Sequence, residues 1–375
     1  MEIVAALFGA YLIYSLQRFL YRRFWKQNLI VELKLSDEKA VEGEELILYE
    51  TVRNQKLLPI PVLKVKFMTS RFLSFLDLRA SEVTDHTYRN DIVSVMMYQK
   101  LTRALPFRCS KRGFYTIDKL VLVCNDLLLE SELVTECKMD VHLYVYPKPV
   151  DNARFEISFL KLFGTILTKR FINEDPFEFK SIRQYQTYDT MKTINWKASV
   201  KAGDLMVNVY DHTASQQIKI LMNLEAETLR HYEELEEESI RLAATLAAYF
   251  IEQGIPTSIY TNGRDCITKE LLKVPAGSGR NHIRTINETL ARIDTSLPVP
   301  AFTTALWEEL NHNNPDDYIL LISFYQRKDL MEQLARLSHD HIDFSWVIPL
   351  NREVRLAVAG EMLSHVLTWE IGGAV

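Results

Sequence analysis

The uncharged N-terminal run constrains this chain more than any other segment. Ile3–Leu16 carries no charge and follows Glu2. Four basic residues come after the run: Arg18, Arg22, Arg23 and Lys26. A cleaved signal peptide places its positive charges before the apolar run, so the reversed order favours an uncleaved membrane span that ends near Tyr21. An amphipathic surface helix or a buried helix is the alternative. The basic residues after the run predict a single-pass protein of the cell membrane, with residues 1–26 as its anchor and the bulk of the chain in the cytoplasm.

The remaining length predicts two folded domains, because domains usually contain about 100–200 residues. Over residues 27–150, short apolar runs alternate with polar residues at a period of two, as in Val31, Leu33 and Leu35. Turn residues separate these runs, and no helical period comes between them. We therefore expect residues 27–150 to form an all-β sandwich of immunoglobulin-like type.

From residue 217 onward, apolar strand-like runs alternate with segments of helical period. The buried run Ile218–Leu224 is followed by a predicted helix, Glu233–Gln253, and Gly254 ends that helix. Strand and helix candidates then alternate up to Ile348. This order predicts an α/β domain over residues 217–375, with a mainly parallel sheet covered by helices. Residues 151–216 are then a connecting segment.

Composition and residue spacing argue against several classes of function. The formal net charge is −5 and the sequence pI is about 6.0, so electrostatics do not indicate a nucleic-acid partner. The four cysteines are scattered, and the histidines lack the spacing of metal ligands. We therefore expect a non-enzymatic protein with no catalytic residues, no metal, no cofactor and no small-molecule substrate.

The densest unusual segment is residues 177–211, where aromatic, basic and amide side chains come close together in sequence. An arginine or lysine beside an aromatic ring can make a cation–π contact, and Asp189 can pair with Arg183. One interpretation is a structural loop in which a buried Trp196 is packed; the other is a surface that docks a partner. The candidate residues are Arg183, Tyr185, Asp189, Ile194, Asn195, Trp196, Lys197 and Ser199.

The spacing of these residues, followed by Gly203-x-Leu205, resembles the signature of the domain-of-unknown-function 58 family. Lys111–Tyr115 and Val145–Pro147 also match the usual approach to that signature. The chain departs from the family pattern at Tyr188, usually Gly, and at Val200-Lys201, usually Ala-Arg. The resemblance implies an N-terminal membrane segment, a β-rich region and an α/β von Willebrand A-like (Rossmann-type) domain. It also implies a partner role beside MoxR-type AAA+ ATPases.

A von Willebrand A domain binds a divalent cation through an Asp-x-Ser-x-Ser loop after its first strand, and oxygen ligands of this kind suit Mg²⁺. The matching positions here are Asn223, Glu225 and Glu227, which we interpret as a degenerate metal site. The later strand ends in Ser323-Phe324 without an Asp. The expectation is an adhesive use of the fold without metal.

The resulting hypothesis is a membrane-anchored interaction or adaptor protein that works with a MoxR-type AAA+ ATPase in the assembly or maturation of protein complexes. The alternatives are an accessory to a cell-envelope enzyme and a structural scaffold that acts without an ATPase. Two candidate docking surfaces stay open: the acidic segment Glu233–Glu238 with the loops beside it, and the signature loop Arg183–Lys197. The acidic segment is otherwise a favourable first turn at the positive end of a helix dipole.

Overall fold

The computed structural model forms two units, and each is described by itself. The first unit comprises Met1–Lys148 with Leu290–Arg292, and the second comprises Pro149–Thr289 with Ile293–Val375. The predicted four-part division stays an expectation. The residues that the structure describes are 2–77, 81–84, 86–150, 155, 158–159, 162–164, 166, 179–186, 191, 194–210, 217–226, 232–310, 317–340, 342–358 and 360–371.

The first unit begins with helix α1, Glu2–Phe24, which is long and apolar enough to cross a membrane. At about 1.5 Å per residue its 23 residues extend over about 34 Å, which exceeds the thickness of a hydrocarbon core. Most of its apolar side chains are exposed. Its C-terminal end differs, because Tyr21 and Trp25 are buried in the core of the β-rich region. The Tyr21 hydroxyl donates a hydrogen bond of 2.7 Å to the Pro59 carbonyl oxygen.

Ten strands follow α1 and form two sheets. The first sheet has the order β1-β3-β8-β5 and is antiparallel. The second has the order β2-β10-β9-β4-β7-β6, with a parallel pairing only between β2 and β10. The strands are β1 Leu29–Leu35, β2 Lys39–Val41, β3 Glu45–Asn54, β4 Ile60–Ser70, β5 Leu73–Phe75, β6 Ser81–Val83, β7 His86–Val95, β8 Lys100–Cys109, β9 Gly113–Asn125 and β10 Glu132–Tyr146.

Side chains from both sheets pack into one hydrophobic core, which is the arrangement of a β-sandwich. Leu48 on β3 and Leu120 on β9 are fully buried members of this core. In β7, buried and exposed residues alternate along the whole strand, as expected for a sheet with one solvent-exposed face. The predicted β-rich region is therefore confirmed. Sequence analysis did not identify β8, although its second half alternates in burial in the same way.

The second unit carries a small antiparallel pair, β11 Phe179–Gln184 and β12 Met206–Tyr210, with helix α2 Trp196–Ala202 between the two strands in sequence. A seven-stranded sheet follows, made of β13 Ile218–Asn223, β14 Thr257–Asp265, β15 Leu271–Gly277, β16 Ile293–Asp294, β17 Tyr318–Ser323, β18 Phe344–Leu350 and β19 Val366–Glu370. The helices of this region are α3 Glu233–Glu252, α4 Arg280–Ala291, α5 Phe302–Leu310 and α6 Lys328–His339.

The large sheet has the order β15-β14-β13-β17-β18-β19, and β16 pairs with β14. Strands β14, β13, β17, β18 and β19 are parallel to one another, and β15 and β16 run antiparallel to them. Every residue of β13, β17 and β18 is buried, so both faces of the sheet are covered. The predicted α/β region is confirmed. The strands that sequence analysis did not assign, β15, β16 and β19, all lie at or near the sheet edges.

An aromatic cluster ties described parts of the connecting segment to helix α3. The ring of Phe163 stacks on that of Tyr249 with centroids 3.9 Å apart, and the ring of Phe159 stacks on that of Trp369 at 6.0 Å. Such ring pairs contribute about 0.5–1.5 kcal/mol beyond their burial. These contacts make part of residues 151–216 a component of the second unit's core.

Candidate functional site

The large sheet has a topological switch point between its two central strands, β13 and β17. From β13 the chain adds β14 and β15 on one side, and it then adds β17, β18 and β19 on the other side. Ligands of open α/β sheets bind outside the carboxyl ends of the strands at such a point. Asn223 ends β13 and Ser323 ends β17, and these two residues pair in the sheet register. Both side chains are fully buried. The place where a ligand would be expected is therefore occupied by polar side chains of the protein itself.

The side chain of Asn223 makes three hydrogen bonds inside the protein. Its amide nitrogen donates to Ser323 Oγ at 3.0 Å. Its oxygen accepts from Asn262 Nδ2 and from the backbone N–H of Glu225, each at 2.9 Å. Asn262 in turn accepts from the backbone N–H of Leu224 at 2.9 Å. Because a buried polar group without a partner costs about 1–3 kcal/mol, this saturated network stabilises the edge of the sheet.

The carboxylate of Glu225 is engaged as well. Its Oε2 accepts a hydrogen bond of 2.9 Å from the backbone N–H of Phe302, the first residue of α5. A carboxylate at a helix N-terminus satisfies a free N–H group and interacts favourably with the helix dipole. Glu225 thus links the loop after β13 to the start of α5. Nearby, burial raises the pKa of Tyr325 to about 12, helped by the carboxylate of Asp329, which accepts from its hydroxyl at 2.8 Å.

These residues do not fit a divalent cation. The oxygen of Asn223 already accepts two hydrogen bonds, and the Ser323 hydroxyl accepts from the Asn223 amide and from the backbone N–H of Tyr325. Glu227, the third predicted position, lies outside the described residues. Among the residues that the structure describes, no three His, Cys, Asp or Glu side chains come together in a group that could hold a metal ion.

Two signature residues, Asn195 and Ser199, hold α2 against β12. Asn195 caps the helix, because its Oδ1 accepts from the backbone N–H of Ala198 at 2.9 Å. Its amide nitrogen donates to Asn208 Oδ1 at 2.7 Å. The Ser199 hydroxyl donates to the Asn195 carbonyl oxygen and accepts from the backbone N–H of Met206, each at 2.8 Å. The helix ends at Gly203, whose φ of 77° suits a residue without a Cβ.

The remaining signature residues are spread around this small motif. Ile194 is buried and bridges to Val207. Arg183 donates to the Gln184 carbonyl oxygen at 3.1 Å. The backbone N–H of Tyr185 donates to the carbonyl oxygen of Leu205 at 2.8 Å. Asp189, the predicted partner of Arg183, lies outside the described residues. The pairing of Arg183 with Asp189 therefore stays a prediction.

The structure contradicts the expectation that Trp196 is packed in a core. Trp196 is the first residue of α2 and is 62% exposed, and Val200, one helical turn further, is 84% exposed. Residues four apart lie on one face of a helix, so the two form an exposed apolar face. The side chains of Lys197 and Lys201 are exposed on the same short helix. We call Trp196, Val200, Lys197 and Lys201 the α2 face.

The acidic segment at the start of α3 is only partly available to a partner. Glu236 and Glu238 are buried, and Glu238 accepts a hydrogen bond of 2.8 Å from the indole N–H of Trp369. Glu233 and Glu234 are exposed. The interpretation of Glu233–Glu238 as one continuous acidic surface is therefore wrong, because half of this segment faces the fold.

Two buried cysteines and one cleft are further features of the chain with potential for chemistry. Burial raises the pKa of the Cys109 and Cys124 thiols to about 12, so both are protonated at neutral pH. A cleft of about 270 Å³ lies where β17 and β18 begin, at the opposite edge from the Asn223 network. Two of its polar groups, the Tyr318 hydroxyl and Ser345 Oγ, are 2.6 Å apart.

Part of the second unit matches a known protein family. Residues 181–363 match the family model described as "Protein of unknown function DUF58". The chain contains a DUF58 region. This region begins in β11 and includes both the α2 face and the Asn223 network. No curated protein matches the chain.

Three solved structures resemble parts of the chain. The CARDB domain of a Pyrococcus furiosus protein in complex with di-metal ions aligns at 11% identity and a TM-score of 0.21, over 32% of this chain and 90% of that one. AvmM, which catalyses macrocyclization in alchivemycin A biosynthesis, aligns at 9% identity and a TM-score of 0.25, over 34% of this chain and 94% of that one. A cohesin module from a Clostridium perfringens family 33 glycoside hydrolase aligns at 6% identity and a TM-score of 0.22, over 30% of this chain and 95% of that one. These likenesses are too low to define a fold, so the architecture of this chain rests on its own strand order.

Sequence reasoning missed Asn262, which completes the network around Asn223. Asn262 lies inside β14, a strand that has no neighbouring signature residue. An Asn followed by Gly inside a run of strand-forming residues was the available signal, because Asn and Gly are depleted in strands.

Proposed function

We propose that this DUF58 protein is a membrane-anchored, non-enzymatic protein that binds a partner protein through the α2 face. The observation that carries the proposal is the exposure of Trp196 and Val200 together on one helix face. Exposed tryptophan on a pre-organised helix is typical of interface hot spots. Asn195 and Ser199 hold this helix in place, so binding would cost little ordering of the backbone.

The charges around the α2 face indicate the chemistry of the partner. Lys197 and Lys201 are exposed on the helix, and Arg183 lies on the preceding strand. An acidic partner surface with an apolar pocket for the indole would complement this arrangement. We prefer the α2 face to Glu233–Glu238, the other candidate docking surface, since Glu236 and Glu238 are buried. Binding through the α2 face should weaken as ionic strength rises.

We propose a MoxR-type AAA+ ATPase as the partner, on the basis of the family resemblance, and the assembly or maturation of protein complexes as the process. We further propose that the second unit has a von Willebrand A-like (Rossmann-type) fold. Its sheet supports this, because numbering the main strands in chain order gives 3-2-1-4-5-6 with the third strand antiparallel. The two sheets of the first unit, which are antiparallel except for the β2–β10 pairing, support an immunoglobulin-like sandwich.

The experiment is co-purification of the full chain in detergent with a MoxR-type ATPase, in each nucleotide state. Trp196→Ala combined with Val200→Ala should weaken binding at least about tenfold, as truncation of a hot spot costs about 2 kcal/mol or more. Leu271→Ala, at an exposed apolar position on β15 of the same unit, is the matched control and should bind like the wild type.

The outcomes separate the parts of the proposal. Equal binding by the double variant and the wild type would reject the α2 face but keep the ATPase. Failure of the wild type to bind an ATPase in any nucleotide state would reject the partner and favour a scaffold or an accessory to a cell-envelope enzyme.

A further inference from the structure

The turn between β9 and β10 presents three leucines to the outside. Leu127, Leu128 and Leu129 are each more than half exposed. Asp126 is buried and forms the hydrogen bonds that hold this turn. Its carbonyl oxygen accepts from the backbone N–H of Leu129, and its Oδ1 accepts from the backbone N–H of Glu130. Leu129 has a φ of 61°, a conformation that a leucine rarely adopts. The backbone is thus ordered while its apolar side chains point away from the core.

This turn lies against the middle of α1. The Tyr14 hydroxyl donates a hydrogen bond of 2.6 Å to Glu130 Oε2, and Arg18 donates to the Tyr14 oxygen at 3.2 Å. Tyr14 lies twelve positions after Glu2, about 18 Å along the helix, whereas a hydrocarbon core is about 30 Å thick. If Glu2–Phe24 spans a bilayer, Tyr14 lies inside that span. The β9–β10 turn, which contacts Tyr14 through Glu130, then reaches the same membrane.

Two neighbouring loops at this end of the sandwich are apolar as well. Leu57 lies in the β3–β4 loop, and Met96, Met97 and Tyr98 lie in the β7–β8 loop; all four are more than half exposed. Asn54 joins these loops, since its amide donates to the carbonyl oxygens of Leu58 and Met96 at 2.9 Å each. A groove of about 380 Å³ lies between the end of α1, at Leu20 and Phe24, and Leu57.

We propose that these loops form a membrane-inserting collar around α1. The apolar collar consists of Leu57, Met96, Met97, Tyr98, Leu127, Leu128 and Leu129, and its occupant is the boundary between headgroups and acyl chains of the bilayer. The contact between Tyr14 and Glu130 makes the collar continuous with the candidate span. Leucine, methionine and tyrosine suit this layer, and Arg22, Arg23 and Lys26 would meet anionic headgroups. The collar rests on the membrane anchoring in the proposed function, and it goes beyond it by giving the β-rich unit a lipid surface.

The test places an environment-sensitive NBD fluorophore at single cysteines of the full chain in phosphatidylcholine vesicles with a minor share of phosphatidylglycerol. The background is Cys137→Ser with Cys266→Ser, since Cys109 and Cys124 are buried. The labelled variants are Leu128→Cys in the collar, Phe8→Cys in α1 and Tyr88→Cys as the control. Tyr88 is exposed and pairs with Met68, at the opposite end of the same sheet from the collar.

We expect a blue-shifted probe at position 128 that shallow spin-labelled lipids quench by about half, as at an interfacial depth, with quenching at position 8 and none at position 88. Quenching at position 8 without quenching at 128 would reject the collar and leave the anchor intact. A probe at 128 that is blue-shifted yet insensitive to spin-labelled lipids would mean that protein covers it, and would also reject the collar. Without quenching at position 8, anchor and collar both fail. Quenching at all three positions would indicate unspecific adsorption and reject the collar.

Discussion

The side-chain amide of Asn262 donates a hydrogen bond of 2.9 Å to the side-chain oxygen of Asn223, joining two adjacent parallel strands at the carboxyl edge of the sheet. The same amide donates to the Pro300 carbonyl oxygen at 3.1 Å. One buried Asn therefore connects β14, β13 and the approach to α5. This pairing turns the edge at which related sheet architectures bind ligands into a closed part of the core.

Replacing Asn223 with Ala should destabilise the edge of the sheet. The substitution leaves the backbone N–H of Glu225 without its acceptor, and an orphaned buried group costs about 1–3 kcal/mol. It also removes the hydrogen bond to the Ser323 hydroxyl, which keeps its bonds to Tyr325. We expect the opening free energy of β13 and β17 to fall by about 2–4 kcal/mol, measured by native-state hydrogen exchange. Asn281→Ala, at an exposed position on α4, is the control and should change it by less than about 0.5 kcal/mol. Unchanged exchange in Asn223→Ala would show that the network is not a stabilising unit.

Two adjacent signature residues should differ sharply when each is replaced by Ala. Asn195→Ala removes the cap of α2 and its bond to Asn208, so we expect a local loss of about 1–2 kcal/mol. Trp196→Ala removes a largely exposed ring and should cost less than about 0.5 kcal/mol. Hydrogen exchange at the amides of Gly203 and Met206, which bond to Ser199, measures both. A large loss in Trp196→Ala would restore the packed role predicted from sequence.

A buried carboxylate in the β-sandwich should make its stability depend on pH. Glu50 on β3 is 1% exposed; burial, and secondly the charge of Asp91, raise its pKa from 4.5 to about 7, against the opposing effect of Arg103 and Arg89. The folded state thus holds a proton that the unfolded state releases between these values. The contribution of Glu50 to the free energy of unfolding is therefore complete below pH about 4.5. It declines as pH rises and levels off above pH about 7, with a loss of roughly 3 kcal/mol.

Glu50→Gln should remove this decline, because glutamine cannot ionise. We expect the urea midpoints of the variant at pH 5 and pH 8 to differ less than those of the wild type. Glu45→Gln, at an exposed position on the same strand, is the control and should keep the wild-type pH dependence. A wild-type midpoint that rises between pH 5 and pH 8, or an equal decline in Glu50→Gln, would contradict the assignment.

Lys56 should hold the chain where it leaves α1. Its ammonium group donates to the carbonyl oxygens of Trp25 and Gln27, at 2.5 Å and 2.8 Å. Lys56→Met removes both bonds, and a loss of about 1.4 kcal/mol would raise tenfold the population in which this segment opens. We expect trypsin to cut after Lys26 about tenfold faster in the full chain. Lys66→Met, at an exposed position on β4, should be cut like the wild type; equal rates in both variants would reject the role of Lys56.

Much of the secondary structure follows from local patterns in the sequence. The period of two in β1 and the helical period in α3 each report how one element is buried, and both elements lie within a few residues of their predicted bounds. The same holds for the order of strands and helices in the second unit. Such patterns are readable because burial repeats along the chain with the geometry of the element.

The chemistry of the candidate site depended on contacts between distant parts of the chain. The family resemblance implied a degenerate metal site at Asn223, Glu225 and Glu227. In the structure, Asn262 and Ser323, 39 and 100 residues away from Asn223, occupy its hydrogen-bonding groups. Spacing likewise does not decide whether an aromatic residue is buried, so Trp196 was expected inside and is outside.

By itself, the sequence determined that α1 is apolar, that a β-rich region follows and that the last region alternates strands with helices. Only the tertiary structure decided that Asn262 saturates Asn223, that Glu236 faces inward and that the Leu127–Leu129 turn lies beside Tyr14. The physical reason is that the period of a pattern records which face of an element is covered. The identity of the group that covers it is set by chain segments far away in sequence, whose positions depend on the packing of the whole unit.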